Sequence, residues 1–216
     1  MFFLYTLVEY VEKNYIEKNS VEKRDYQINL ANQAMNENCV VVLPTGLGKT
    51  TIALHVIAEY LSRDSFGILF LAPTRVLVNQ HFDFLKKKLT IDDITLITGE
   101  DTVEQRTELW NSRIICATPE VARTDLNKKI ITYKQFSLVV FDEVHRTTGD
   151  YAYSSIAKHF EDTDTRLLGM TATLPSEQEK ATEILTRLKI SSVAERTENS
   201  PDVKPYIQET ETEWIN

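Results

Sequence analysis

Leu43-Pro44-Thr45-Gly46-Leu47-Gly48-Lys49-Thr50 combines the residue types and spacing that polyphosphate chemistry requires. Gly46 and Gly48 permit tight backbone curvature, so successive N–H groups and the start of a following helix can converge on one anion. Lys49 adds a cation, and the Thr50 hydroxyl is suited to Mg2+. Leu43 stands where the generic phosphate loop has a glycine, so the match is to the variant Pro-Thr-Gly-x-Gly-Lys-Thr. The residues expected to hold nucleotide phosphates are Thr45, Gly46, Leu47, Gly48, Lys49, Thr50 and Thr51.

Asp142-Glu143-Val144-His145 closes a continuous apolar run, Leu138-Val139-Val140-Phe141, of the kind buried on both faces of a parallel sheet. Carboxylates at the carboxyl end of such a strand lie where open α/β sheets bind ligands. Asp142 suits the Mg2+ and Glu143 the attacking water, which makes Lys49, Asp142, Glu143 and His145 the candidate catalytic set, with Thr50 and Asp142 as metal ligands.

These groups need a frame, and the chain supplies one. Apolar strands at Cys39 to Leu43, Gly67 to Ala72, Ile94 to Thr98, Arg113 to Ala117, Leu138 to Phe141 and Leu167 to Met170 alternate with helical stretches. The helices are Thr51 to Leu61, Pro73 to Leu89, Val103 to Asn111, Tyr153 to Phe160 and Ser176 to Leu188. That alternation predicts an α/β fold with a doubly wound, mainly parallel sheet and helices on both faces. Leu4, Leu7, Val8, Val11 and Tyr15 recur at helical spacing, so residues 1–22 read as an N-terminal helical extension. Residues 23–190 form the domain itself. After Ile190 the pattern lapses into polar turn residues, and residues 191–216 read as a segment leading toward a further domain.

At 216 residues and a net charge of −8, the chain suits one large domain whose overall charge does not itself favour nucleic acid. Cys39 and Cys116 lie in apolar strand-like runs without metal-ligand spacing, which fits core thiols in a reducing, cytoplasmic setting. Met1 to Val8 lacks the basic start and cleavage site of a secretory signal, and no apolar run is long enough to span a bilayer, so no membrane partner is expected. Lys86-Lys87-Lys88 reads as a solvated basic face at a helix end, with nucleic-acid contact as the other reading. Tyr151, Tyr153 and Trp214 read as packing rather than base stacking.

Further segments occur in the order found in superfamily 2 helicases. Arg24-Asp25-Tyr26-Gln27 resembles the Q motif, Ala72-Pro73-Thr74-Arg75 motif Ia, and Thr171-Ala172-Thr173 motif III. Thr98-Gly99-Glu100 and Ala117-Thr118-Pro119-Glu120 resemble the strand-contacting motifs between them. Together they resemble the first RecA-like, P-loop NTPase domain of a DEAD/DEAH-type helicase. Gly149-Asp150-Tyr151-Ala152-Tyr153 and Glu198-Asn199-Ser200-Pro201-Asp202-Val203-Lys204-Pro205-Tyr206 narrow the resemblance to the archaeal Hef and Fanconi anaemia M group. Val144, where that group more often has alanine or cysteine, and Thr173-Leu174-Pro175, in place of Ser-Pro-Gly, are departures that leave the ATPase chemistry intact.

The resemblance implies ATP and Mg2+ as cofactors and a nucleic-acid partner, DNA in preference to RNA. It implies that Arg24 and Gln27 bond adenine and that Thr74, Arg75, Gly99 and Thr118 line the nucleic-acid groove. Thr118-Pro119 can also be read as a helix cap followed by a first-turn proline. Glu120 is acidic and reads as orienting a neighbour or capping that helix. His145, Thr171 and Thr173 are polar groups at adjacent strand ends; they either couple the acidic box to the groove or form a satisfied hydrogen-bond network. It further implies a second RecA-like domain that completes the motor, and a monomeric, nearly inactive state for residues 1–216 alone. An RNA motor related to double-stranded RNA sensors or Dicer, and a nucleotide-dependent interaction module, are the competing functions.

Overall fold

Cys39–Val42 (β1), Gly67–Leu71 (β2), Ile94–Ile97 (β3), Ile114–Ala117 (β4), Phe136–Phe141 (β5) and Arg166–Thr171 (β6) are, unlike the half-polar Ser192–Glu195 (β7), short and largely apolar runs. Burial on both faces is what such runs demand. In the computed structural model, which describes residues 8–147 and 151–207, the strands form one sheet in the order β3-β4-β2-β5-β6-β1-β7. Every strand pairing in it is parallel. The helices are Asp25–Ala34 (α1), Lys49–Arg63 (α2), Arg75–Lys88 (α3), Val103–Leu109 (α4), Pro119–Asn127 (α5), Tyr151–His159 (α6) and Gln178–Arg187 (α7).

Alternate strand residues feed two separate cores, as the pleat requires. Val41, Ile68, Phe70, Leu138, Val140 and Met170 pack on the α1, α2 and α3 side. Val40, Leu69, Leu71, Val139 and Phe141 pack with residues of α5, α6 and α7. The fold is thus the RecA-like α/β architecture expected. Both cysteines are free and buried in it. Burial alone raises the thiol pKa of Cys116, and burial is also the main cause of the upward shift at Cys39.

Because the strands are parallel, their carboxyl ends share one edge. Val42 pairs with Thr171, Leu71 with both Phe141 and Ala117, and Ile97 with Ala117, so the loops after six strands emerge together. The phosphate loop and the acidic box both lie along this edge.

Two expectations need correction. Leu4 and Leu7 lie outside the described residues, and from Val8 to Glu22 the chain is not helical. Val11 N donates to Val21 O at 2.9 Å and Lys23 N to Glu9 O at 2.8 Å, while Tyr15 and Asn19 turn the chain at φ 66° and 55°. Val11, Ile16 and Val21 are buried, so tertiary anchoring overrides a weak local period. The second correction is β7, where no strand was expected: it pairs with β1 through Ala194 and its neighbours, but its residues are mostly exposed because it is an edge. Gly149, Asp150 and Trp214, and the side chain of Tyr151, lie outside the described residues. Among the described residues no helix is long and apolar enough to cross a membrane.

Candidate functional site

The phosphate loop turns on Gly46 and Gly48, both at φ 87°, a conformation side-chain-bearing residues rarely adopt. Gly48 is also the N-cap of α2, with no side-chain cap and no acidic residue in the first turn. The positive helix end is therefore left without a protein anion, which is what a bound phosphate would supply. Lys49 Nζ donates to Leu43 O at 3.2 Å beneath the loop.

Helix α1 grips this loop from the side. Tyr26 donates its hydroxyl to Leu47 O at 2.8 Å and Gln27 its Nε2 at 3.0 Å. A Cβ on Gly48 would overlap Gln27 Nε2, so the glycine is needed for the contact as well as for its φ. Gln27 is buried, whereas Arg24 lies at the rim, bonded to Glu22 at 3.2 Å and stacked over the Tyr206 ring at 5.4 Å. Tyr206 also meets Tyr26 edge-on at 5.4 Å. The segment carrying it is fastened by buried Val203 and by the Arg196–Asp202 ion pair at 2.9 Å.

Asp142 begins the acidic box two strands away from the loop. Its backbone is fixed on both sides: Asp142 N donates to Leu71 O at 2.9 Å, and Asp142 O accepts from Tyr153 Oη at 2.8 Å. Its carboxylate Oδ2 lies 2.7 Å from His81 Nε2, and both residues are buried. Glu143 adopts φ 54°, a strained left-handed conformation for a glutamate. Its Oε2 lies 3.1 Å from His145 Nδ1, which is also 2.9 Å from Thr171 Oγ1. Thr171 Oγ1 in turn donates to Thr173 O at 2.7 Å, and Leu43 N donates to Thr171 O at 3.0 Å. Glu143 thus lies against His145, which hydrogen-bonds Thr171, and Thr171 bonds both Thr173 and the start of the phosphate loop at Leu43.

Among the described residues no group of three His, Cys, Asp or Glu could hold a metal. A Mg2+ site of one carboxylate, one hydroxyl and substrate phosphates needs no such cage; Asp142 follows β5, and Thr50, in the first turn of α2, follows β1 two strand positions away.

The groove candidates occupy the other half of the edge, after β2, β3 and β4. Thr74 caps α3 by accepting from Leu77 N at 3.3 Å, so its hydroxyl already has a local task. Arg75 is exposed and ion-paired with exposed Glu100, whose hydrogen bond and charge raise the guanidinium pKa. A Cβ on Gly99 would first meet Val121 Cγ2 at 4.0 Å, leaving open backbone there. Thr118 is the N-cap of α5 with Pro119 in the first turn, as the capping reading expected, yet its side chain makes no cap bond. Lys86-Lys87-Lys88 lies at the opposite end of α3. Lys88 Nζ bonds Ser20 O and Lys86 stacks on Phe82 at 5.3 Å, in line with a helix-end role.

Sequence reasoning missed the role of His81, the Tyr26 bond to Leu47 and the pairing of Arg75 with Glu100. A signal for His81 existed: with Val78 and Leu85 it forms the buried stripe of α3, where a polar ring needs a partner.

The model of the DEAD/DEAH box helicase family matches residues 24–181. A Methanocaldococcus jannaschii protein provisionally named an ATP-dependent RNA helicase is 43% identical over 187 residues, covering 85% of this chain and 24% of that protein. The ATP-dependent DNA helicase Mph1 of Saccharomyces cerevisiae is 36% identical over 200 residues, covering 89% of this chain and 20% of that protein. The chain therefore spans a quarter or less of these relatives. The crystal structure of the Pyrococcus furiosus Hef helicase domain matches with a TM-score of 0.84 at 36% identity, over 89% of this chain and 42% of that one. The UvsW helicase of bacteriophage T4 matches at 0.68 and 20% identity, over 85% and 64% of the two chains, a likeness of fold alone.

Proposed function

Because the chain belongs to the DEAD/DEAH box helicase family, we propose that it is the ATP-binding first motor domain of a DNA helicase or translocase of the Hef type, acting on branched or fork DNA in repair. The observation that carries the ATP reading is the meeting of the uncapped α2 start, Lys49, Thr50, Asp142 and Glu143 at one sheet edge. The name of the Mph1 relative, an ATP-dependent DNA helicase, supports DNA over RNA.

In this reading Lys49 and the loop N–H groups stabilise phosphate charge, and Thr50 and Asp142 would hold Mg2+, which would supply further charge neutralisation to the phosphates. Glu143 orients the water and takes its proton, with His145 in close contact beside the carboxylate. Arg24 and Gln27 recognise adenine from the α1 side. Arg75, Gly99, Thr118 and Thr74 meet the nucleic-acid backbone, where N–H groups, hydroxyls and guanidinium suit phosphates without reading bases. Arginines of a second RecA-like domain complete the site, so residues 1–216 alone bind Mg·ATP and turn it over slowly.

The test is ATPase activity of the natural, longer protein with fork DNA, duplex DNA and double-stranded RNA at matched salt. Stimulation by fork DNA is expected. Stimulation by RNA alone would favour the RNA motor suggested by the name of the M. jannaschii relative, and turnover unaffected by either would remove the nucleic-acid reading. The same assay on residues 1–216 should show little stimulated turnover.

A further inference from the structure

We propose that His81 is a positioning residue for the metal site: it fixes the Asp142 carboxylate through Oδ2 so that Oδ1 is left for the cation. The inference rests on the ATPase reading above and adds to it a residue that no motif in the chain supplied.

The geometry is specific. His81 Nε2 and Asp142 Oδ2 are 2.7 Å apart, and both side chains are almost fully withdrawn from solvent, at 9% and 5% exposure. The imidazole is held in turn by Phe70, with ring centroids 4.5 Å apart at 39°. Phe70 belongs to β2, the neighbour of β5, and α3 follows directly from β2. The carboxylate is therefore anchored from an element adjacent to its own strand. The His81 contact falls on Oδ2 and not on Oδ1.

A carboxylate free to rotate would lose orientational entropy on taking up a cation, and a fixed one has already lost it. The backbone of Asp142 is separately pinned by Leu71 and Tyr153, so His81 controls the one remaining freedom, rotation of the carboxylate. Removal of such a supporting hydrogen bond typically costs 10- to 100-fold in metal affinity.

The experiment is nucleotide binding by the full-length protein, measured as a Mg2+ titration and again in EDTA, for wild type, His81→Phe and His81→Gln. Phenylalanine keeps the ring on Phe70 and lacks the donor, whereas glutamine keeps an amide donor. His81→Phe should raise the Mg2+ concentration for half-maximal nucleotide binding by about ten-fold or more, leave binding in EDTA unchanged, and be largely rescued in His81→Gln. Should His81→Phe fail to fold, His81→Leu makes the same comparison. A wild-type Mg2+ requirement in the folded variant lacking the donor overturns the inference while leaving the ATPase reading standing. Absence of nucleotide binding by wild type in both conditions overturns both.

Discussion

Gln27 holds Leu47 by a 3.0 Å hydrogen bond, and Leu47 is the residue between the two left-handed glycines of the phosphate loop. The amide therefore has a task in the protein itself, beyond any contact with a base. Gln27→Ala is expected to weaken ATP and GTP binding together, through a looser loop, and to narrow the gap between them if the amide also reads adenine. Nucleotide titrations separate the two effects; unchanged affinity for both nucleotides would show that the loop holds itself.

Lys49 makes its protein contact with a loop carbonyl, Leu43 O at 3.2 Å, and takes no part in either core. Lys49→Ala should leave thermal melting nearly unchanged and lower ATP affinity at least about ten-fold, as loss of a cation facing the β/γ-phosphates predicts. Wild-type affinity in the variant would sink the phosphate-loop assignment.

Glu143→Gln keeps the side-chain shape and the same backbone strain at φ 54°, so the fold should be as stable as wild type. In the longer protein, turnover should drop by roughly 10²-fold or more while ATP binding persists, as removal of a general base predicts. Stopped-assay hydrolysis and equilibrium binding measure the two separately, and undiminished hydrolysis would place the base elsewhere.

Arg75 and Glu100 are ion-paired on the exposed edge, so under the proposed function Glu100 competes with a nucleic-acid phosphate for Arg75. Glu100→Gln should tighten DNA binding by a few-fold and Arg75→Ala should weaken it, with a shallower salt dependence by about one counterion. Fluorescence anisotropy across a salt series gives both numbers. Equal affinities in the three proteins would mean that this corner of the edge does not meet nucleic acid.

His55 is buried, its Nε2 has no hydrogen-bond partner, and burial followed by the nearby charge of Lys13 lowers its pKa from 6.5 to about 4. The unfolded chain binds this proton below pH 6.5 and the folded chain does so only near pH 4, so His55 lowers stability as pH falls through that window. The loss approaches about 3 kcal/mol by the lower end. Denaturant melts at pH 7 and pH 4.5 should show a smaller pH difference for His55→Leu than for wild type, and an identical difference would contradict the buried neutral imidazole.

Six of the seven strands were legible because each is a short apolar run bounded by turn residues, and burial on both faces is what such runs demand. β7 was not, since Ser192-Val193-Ala194-Glu195 is half polar and becomes a strand only by pairing with β1. Lys49 and Asp142 stood out because each sits in a motif whose residues lie within a few positions of one another in sequence. His81 and Asp142 are sixty-one positions apart, and only the parallel register of β2 and β5 brings them together. Shorter separations, 19 and 15 positions, still hide the buried Asp125, which accepts from Arg106 Nε at 2.7 Å and from Trp110 Nε1 at 2.8 Å. The helical reading of the N-terminus failed for the converse reason: its apolar residues are spent on contacts with Val21 and Leu89, which no local period reveals.

The two halves of the edge are set at a fixed span. β3 and β1 stand five strand steps apart, which at about 4.8 Å per step is roughly 24 Å. The sheet between them is clamped by a dense core on each face, so bending or stretching it would open both cores at once. It acts as a ruler: the loop that carries Gly46 and the loop that carries Gly99 keep their separation, and a push delivered at either is passed on as rotation of the whole block.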